Sequence, residues 1–355
     1  MRGIGGLVIF AIVIVVLFSR QVIGLYADWL WFQEVGYTQI FSTSLIYKTV
    51  LGFLAGVLFA VIVYINVKIA AALPASARFS SADSAIELPP VELVEPAIKR
   101  LLLPAALLIG LMAAPQAAAN WQQLALFLNP VNFNVQDPQF SRDVGFYIFQ
   151  LPALRIAYNW ITFALALSLI ATAAVYLLYR GIEYSPRGLF LAARAKTHLL
   201  ILGAAWLLVK GAGYYLDAYD LLYSTSGVGY GAGYADIHAV LPALRVLVFI
   251  ALLAAVVCIT QIYREGFRLL LVGLGALVLA HGVGLNVYPT LLQRFRVAPN
   301  EIAAERPYLE RNIEFTRIAF GLDKVESQEF PAVETLTAAD LQRNQSTIDN
   351  IRLWD

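Results

Sequence analysis

The stretch TVLGFLAGVLFAVIVYINV, residues 49–67, decides the fold: it lies between Lys48 and Lys68 and carries no charged side chain. A bilayer's hydrocarbon core is about 30 Å thick, and a helix crosses it in about 20 residues while satisfying its own backbone hydrogen bonds. Six further intervals resemble this one: about Ile4 to Phe18, Leu101 to Ala119, 156–179, His198 to Leu216, 246–263 and 269–293. Among them, His198 to Leu216 contains a charge, Lys210. The sequence therefore predicts an all-α polytopic membrane protein with seven transmembrane helices, short interfacial helices and a partly helical tail. With 60% hydrophobic and 14% charged residues, and a mean hydropathy of +0.70, a soluble enzyme is excluded. The first segment reads as an uncleaved signal anchor, because Leu17-Phe18-Ser19-Arg20 is a poor cleavage context.

Orientation follows from Lys and Arg, which resist translocation when they lie in short loops. Loops on the N-terminal side hold 11 of them and the opposite loops 5. The N-terminus is thus expected in the cytoplasm and the C-terminus outside it. The net charge of +1 gives nucleic acid no basic face to bind. Cys258, the single cysteine, excludes an internal disulfide framework and a cysteine-based zinc site. Two regions are expected: a seven-helix membrane domain, 1–293, and the start of an extracytoplasmic region, 294–355. In the latter, Pro299-Asn300-Glu301 predicts a helix start, Gly321 a stop, and Thr337 with Asp340 a capping box.

The expected outer loops are rich in aromatic residues, including Tyr26, Trp29, Trp31, Phe32 and Tyr37 in the first, Phe140, Phe146 and Tyr147 in the second, and Tyr219, Tyr223 and Tyr230 in the third. An aromatic belt at the headgroup level accounts for such rings, and a packed platform of interfacial helices is the alternative. The third loop also carries Asp217, Asp220, Asp236 and His238 around Gly227-Val-Gly229-Tyr-Gly231-Ala-Gly233. Carboxylates with an imidazole suit general acid-base work or a divalent metal, whereas capping and solvation account for the same residues structurally. The glycines lack the strand-turn-helix setting of a dinucleotide site and read as a flexible turn. Lys210, His281 and Asn286 are the polar residues within the spans. Lys210 is expected to snorkel or to pair with Asp217, and the other two to hydrogen-bond between helices. The absence of Asp and Glu from every expected span argues against a proton- or cation-coupled transporter. No nucleotide-binding or catalytic motif is present, and no cofactor is implied.

The runs Trp29-Leu-Trp31-Phe32-Gln-Glu34-Val-Gly36-Tyr37 and Asp137-Pro-Gln-Phe140-Ser-Arg142-Asp143-Val-Gly145-Phe146-Tyr147, together with Glu305-Arg306-Pro307-Tyr308 through Asn350-Ile-Arg352-Leu-Trp354-Asp355, resemble the bacterial UPF0182 family of large uncharacterised membrane proteins. The resemblance implies a several-helix membrane region followed by a long extracytoplasmic region, and it implies that this chain is an N-terminal portion of such a protein or a truncated gene product. It brings no activity with it. The expected function is a bacterial plasma-membrane scaffold or assembly component, presenting an extracytoplasmic region to an envelope protein, lipid or glycan partner. The alternative is a membrane enzyme or transporter acting on a lipid or cell-envelope precursor, with Asp217, Asp220, Asp236 and His238 at its outer mouth.

Overall fold

Backbone polar groups in lipid must be satisfied within the helix itself, so charge-free sequence becomes long, unbroken helix. The computed structural model describes residues 19–79, 89–185, 188–227, 229–329 and 335–352. Six of its helices are long and apolar enough to cross a membrane: Thr38–Ala71, Val91–Ala118, Phe146–Leu178, Ala193–Tyr223, Asp236–Tyr263 and Arg268–Ala319. They correspond in order to the second through seventh expected segments. The first, residues 4–18, lies outside the described residues, so the seven expected spans are matched by six. One antiparallel strand pair, β1 (Ile182–Ser185) with β2 (Gly188–Leu191), interrupts the helices. The chain divides into two compact units, Met1–Tyr308 and Leu309–Asp355.

Within the first unit, α1 (Thr38–Ala71) and α2 (Val91–Ala118) cross at their backbones. A Cβ added to Gly110 would stand 2.5 Å from the Gly56 carbonyl oxygen and 2.8 Å from the Ala60 Cβ. One added to Gly52 would meet the Ala114 carbonyl at 3.1 Å, which makes the pair antiparallel. Small residues at four-residue spacing permit this approach, the usual way for helices to associate without a hydrophobic driving force. After the short α3 (Trp121–Leu128), α4 (Leu151–Leu178) packs on α1, with Phe59 and Trp160 edge to face at 5.6 Å. Next comes α5 (Ala193–Asp220), which lies between α4 and α6 (Leu241–Thr260), and α7 (Arg268–Gly282) packs on α6. The α5 span is 39% buried within the protein and the last span 6%, so α5 is central and α7 peripheral.

Four π turns interrupt these helices, at Phe146–Gln150, Asp236–Val240, Val283–Val287 and Gln293–Val297. Each ends two residues before a proline: Pro152, Pro242, Pro289 and Pro299. A proline ring collides with the carbonyl four residues earlier and offers it no N–H. Here those carbonyls belong to Ile148, His238, Leu285 and Phe295, the middle residue of each π turn. The wider turn makes room for the ring, and the helix continues. Two of the turns lead into the same pentapeptide, Leu-Pro-Ala-Leu-Arg, at 151–155 and 241–245.

The π turns also carry helices beyond the charge-free intervals. The fourth span starts at Phe146 rather than after Arg155, and the last runs past residue 293 through α8 (Tyr288–Leu292) into α9 (Glu301–Ala319). Glu301 therefore continues a helical run rather than opening a new one. The stop at Gly321 stands, with φ at +66°, and Thr337 and Asp340 form the expected reciprocal cap of α10 (Ala338–Arg343).

Loops expected on one side of the membrane gather at one end of the helices. At the basic end, Phe79 N–H donates to the Arg180 carbonyl and Lys196 to the Arg264 carbonyl, over a core that includes Leu73, Val91, Tyr176 and Tyr179. At the aromatic end the core is Tyr147, Leu151, Leu216 and Tyr219.

Candidate functional site at the aromatic end

Two carboxylates build the loop that leads into α4. Asp137 Oδ1 accepts the N–H groups of Gln139 (2.9 Å) and Phe140 (2.7 Å), while Oδ2 accepts the Arg142 N–H (2.9 Å) and the Tyr147 hydroxyl (2.8 Å). Asp143 accepts from the N–H groups of Phe133 (3.1 Å), Asn134 (2.8 Å) and Gly145 (2.7 Å). Gly145 is required because a Cβ there would lie 2.3 Å from the Val131 carbonyl. The run from Asp137 to Tyr147, a loop that passes into the π turn at Phe146, is thus held by its own acids. Its rings form an interlocked cluster in which Phe140, Phe146 and Tyr147 all contact Tyr219. Tyr26, Trp31 and Tyr37 of the first loop remain exposed, as do Tyr223 and Tyr230 of the third, so the packing centres on the rings around Tyr219.

The backbone N–H groups of Phe133, Gly145 and Asn134 hold the Asp143 carboxyl below its ordinary range. A carboxylate with a depressed folded-state pKa stabilises the fold above its unfolded pKa, and that contribution is lost as pH falls through the folded value. Limited proteolysis of loop 129–145 in detergent is expected to show protection that disappears only in strong acid. Asp143→Asn should give weaker protection at neutral pH and little further change below about pH 4. A variant that tracks the wild type at every pH would remove Asp143 from this role.

Next to this loop, Arg155 of α4 bridges two acids in the last turn of α5. Its Nη1 donates to Asp217 Oδ1 at 2.8 Å and its Nη2 to Asp220 Oδ2. The side chains are 22% exposed for Arg155, 40% for Asp217 and 42% for Asp220, so the cluster is half-shielded from solvent. The expected pairing of Lys210 with Asp217 does not form. Seven residues of helix separate them by about 10 Å along the axis, whereas Arg155 arrives from the adjacent helix at the right height. Lys210 instead donates to the Tyr158 hydroxyl at 3.3 Å and lies 5.2 Å from the centre of the Tyr214 ring. Tyr214 in turn meets His281 Nδ1 at 3.2 Å. Asn286 is exposed, and its carbonyl accepts the Thr290 hydroxyl at 2.6 Å.

The other two acid-base candidates belong to a separate group. Asp236 is buried at the start of its π turn and accepts the Ser226 hydroxyl (2.9 Å) and the Gly233 N–H (3.1 Å). His238 stacks on Tyr234 at 4.1 Å, and its Nδ1 donates to the Tyr234 carbonyl at 3.1 Å. The buried Glu305 receives the Tyr234 N–H with both oxygens, at 3.1 and 3.0 Å. A Cβ on Gly233 would come within 3.2 Å of that carboxylate, so this glycine lets the backbone approach Glu305 closely. The glycine run is therefore folded onto Glu305 at its end. Among the described residues, no three His, Cys, Asp or Glu side chains gather closely enough to hold a metal ion.

Three partnerships escape a reading of the sequence alone. Arg155 looks like a loop residue because a charge ends an apolar run. Glu305 lies 71 residues from Tyr234. The third links three helices: His198 of α5 meets the Tyr176 hydroxyl of α4 through Nδ1 (3.1 Å) and Asn66 Oδ1 of α1 through Nε2 (3.0 Å).

Comparison with known proteins covers nearly the whole chain. The family model described as "Uncharacterised protein family (UPF0182)" matches residues 5–355. A UPF0182 protein of Pelotomaculum thermopropionicum is 37% identical over 342 residues, covering 93% of this chain and 37% of its own length. One from Geobacter sulfurreducens is 37% identical over 353 residues, covering 98% and 39% respectively, and one from Frankia casuarinae is 36% identical over 348 residues, covering 98% and 34%. The chain thus spans less than two fifths of the length of these curated relatives. No solved structure matches it.

Proposed function

We propose, from the premise that this chain belongs to the UPF0182 family, that it is a bacterial plasma-membrane protein serving as an assembly platform. Its aromatic end faces away from the cytoplasm and presents a fixed surface to an envelope partner. The supporting observation is how the candidate acid-base residues are engaged. Asp217 and Asp220 hold Arg155, Asp236 holds a turn, and His238 is stacked and hydrogen-bonded. Groups committed in this way stiffen a surface, and a pre-organised surface binds without the cost of ordering itself. The basic residues at the other end support the orientation.

Photo-crosslinking residues placed at the exposed Tyr223 and Tyr230 are expected to trap one envelope partner in living cells, and the same probe at the exposed Tyr263 of the basic end is not. Trapping from Tyr263 alone would overturn the reading. Alanine at Asp217, Asp220, Asp236 and His238 should weaken the trapped complex in step with thermal stability. Loss of complementation with both stability and complex intact would instead favour the enzyme or transporter. Reporter insertions after Tyr184 and after Ser226 are expected on opposite sides of the membrane, the first in the cytoplasm.

A further inference from the structure

At the basic end, α1 and α5 share a core around Ala70 and Ala195 but leave a groove open beside it. The groove, of about 470 Å³, is lined by Ile69 of α1 and by Ala193, Arg194, Thr197, His198 and Ile201 of α5. That volume falls within the range of about 300–1,000 Å³ typical of small-molecule sites. One part of its wall is rigid. Asn66 Nδ2 donates to the Ile62 carbonyl at 2.7 Å, which leaves Asn66 Oδ1 as an acceptor for His198 Nε2–H. Nδ1 must then accept from the Tyr176 hydroxyl. Both imidazole nitrogens are occupied, so His198 fixes the groove by joining α1, α4 and α5 and is a positioning residue.

The mouth of the groove is different. Arg194 is exposed, and its one hydrogen bond among the described residues is to the Ala72 carbonyl at the long distance of 3.4 Å. No carboxylate of the described residues pairs with it, and the Thr197 hydroxyl beside it has no described partner. A guanidinium and a hydroxyl therefore stand at the end of the apolar part of the helices, where the reading of these helices as membrane spans puts the headgroups. Ile69 and Ile201, 37% and 49% exposed, continue the groove along the apolar surface. A planar guanidinium suits a phosphate through paired hydrogen bonds, and the apolar wall suits a chain of methylenes. A soluble anion would use the first feature and leave the second uncovered.

We propose that this groove binds one anionic glycerophospholipid, its phosphate held by Arg194 and Thr197 and one acyl chain lying against Ile69 and Ile201. The proposal rests on the reading of the helices as membrane spans. Native mass spectrometry of the intact 355-residue chain released from detergent tests it, with phosphatidylglycerol, phosphatidylethanolamine and inorganic phosphate as probes. One phosphatidylglycerol is expected to be retained per chain, and Arg194→Gln to weaken retention at least tenfold. Ile201→Trp, which fills the groove without altering charge, should do the same and carries the test if Arg194→Gln fails to fold. Arg245→Gln, removing an exposed cation from the other end, should leave retention unchanged. Equal retention of phosphatidylethanolamine, displacement by inorganic phosphate, or insensitivity to both groove variants would overturn the proposal. A chain that stays soluble without detergent would instead sink the membrane reading, so the two failures are distinguishable.

Discussion

Arg155→Ala is expected to destabilise the protein by about 2 kcal/mol, read as a lowered thermal midpoint in detergent. Removing one partner of a fully buried ion pair costs about 3–5 kcal/mol because the other charge is left without compensation. Here the acids are 40% and 42% exposed, and water screens part of that penalty, which brings the figure down. Arg155→Lys should recover little. A guanidinium reaches Asp217 and Asp220 with two different nitrogens, and an ammonium is one point of charge. Combining Arg155→Met with Asp217→Asn and Asp220→Asn should restore most of the loss, because the charges then disappear together. Such non-additivity separates a structural cluster from independent surface charges. Additive losses across the three substitutions would show that the cluster does not act as a unit.

Gly110→Leu should be at least as damaging, by about 3 kcal/mol, at the upper end of what overpacking costs. The colliding atoms are backbone and Cβ atoms rather than the tips of flexible side chains. The Gly56 carbonyl would stand 2.5 Å from the new Cβ, so α1 and α2 must separate along their crossing. Gly203→Ala supplies the opposite sign. Nothing lies within 4 Å of a Cβ there, and alanine favours the helix over glycine by about 1 kcal/mol. Thermal unfolding of the two variants side by side is the measurement, and equal midpoints would refute a close crossing at Gly110.

The spans were legible because a charge-free run of about 20 residues has few other uses. Their ends were not, and Arg155 shows why. The rule that a charge closes a span treats every charge as solvated, whereas this one is neutralised by acids 62 and 65 residues away. Asp217 and Asp220 could be recognised as a pair on one helix face from their spacing, yet nothing local to them names their partner. The same holds for Asn66, whose amide becomes intelligible once His198 and Tyr176 lie beside it. In the tail, by contrast, the Thr337 cap and the Gly321 stop depend on neighbours within a few residues, and both could be read directly. The run from Asp137 to Tyr147 pointed to the family without revealing its geometry, since its acids bond mainly to backbone groups that carry no sequence signal.

The repeated pentapeptide gives the π turns a further meaning. One extra residue in a helix rotates everything beyond it by about 100°. The turns ahead of Pro152 and Pro242 therefore act as angular offsets, each setting the bearing of the helix that follows. Arg155 and Arg245 occupy the same position after their offsets, yet Arg155 meets two acids while Arg245 is exposed, with no partner among the described residues. The bearing is thus copied and the contact is not. Deleting Phe149 would swing Arg155 relative to the π turn's N-terminal loop, so the anchored aromatic loop and the ion cluster could no longer both be satisfied.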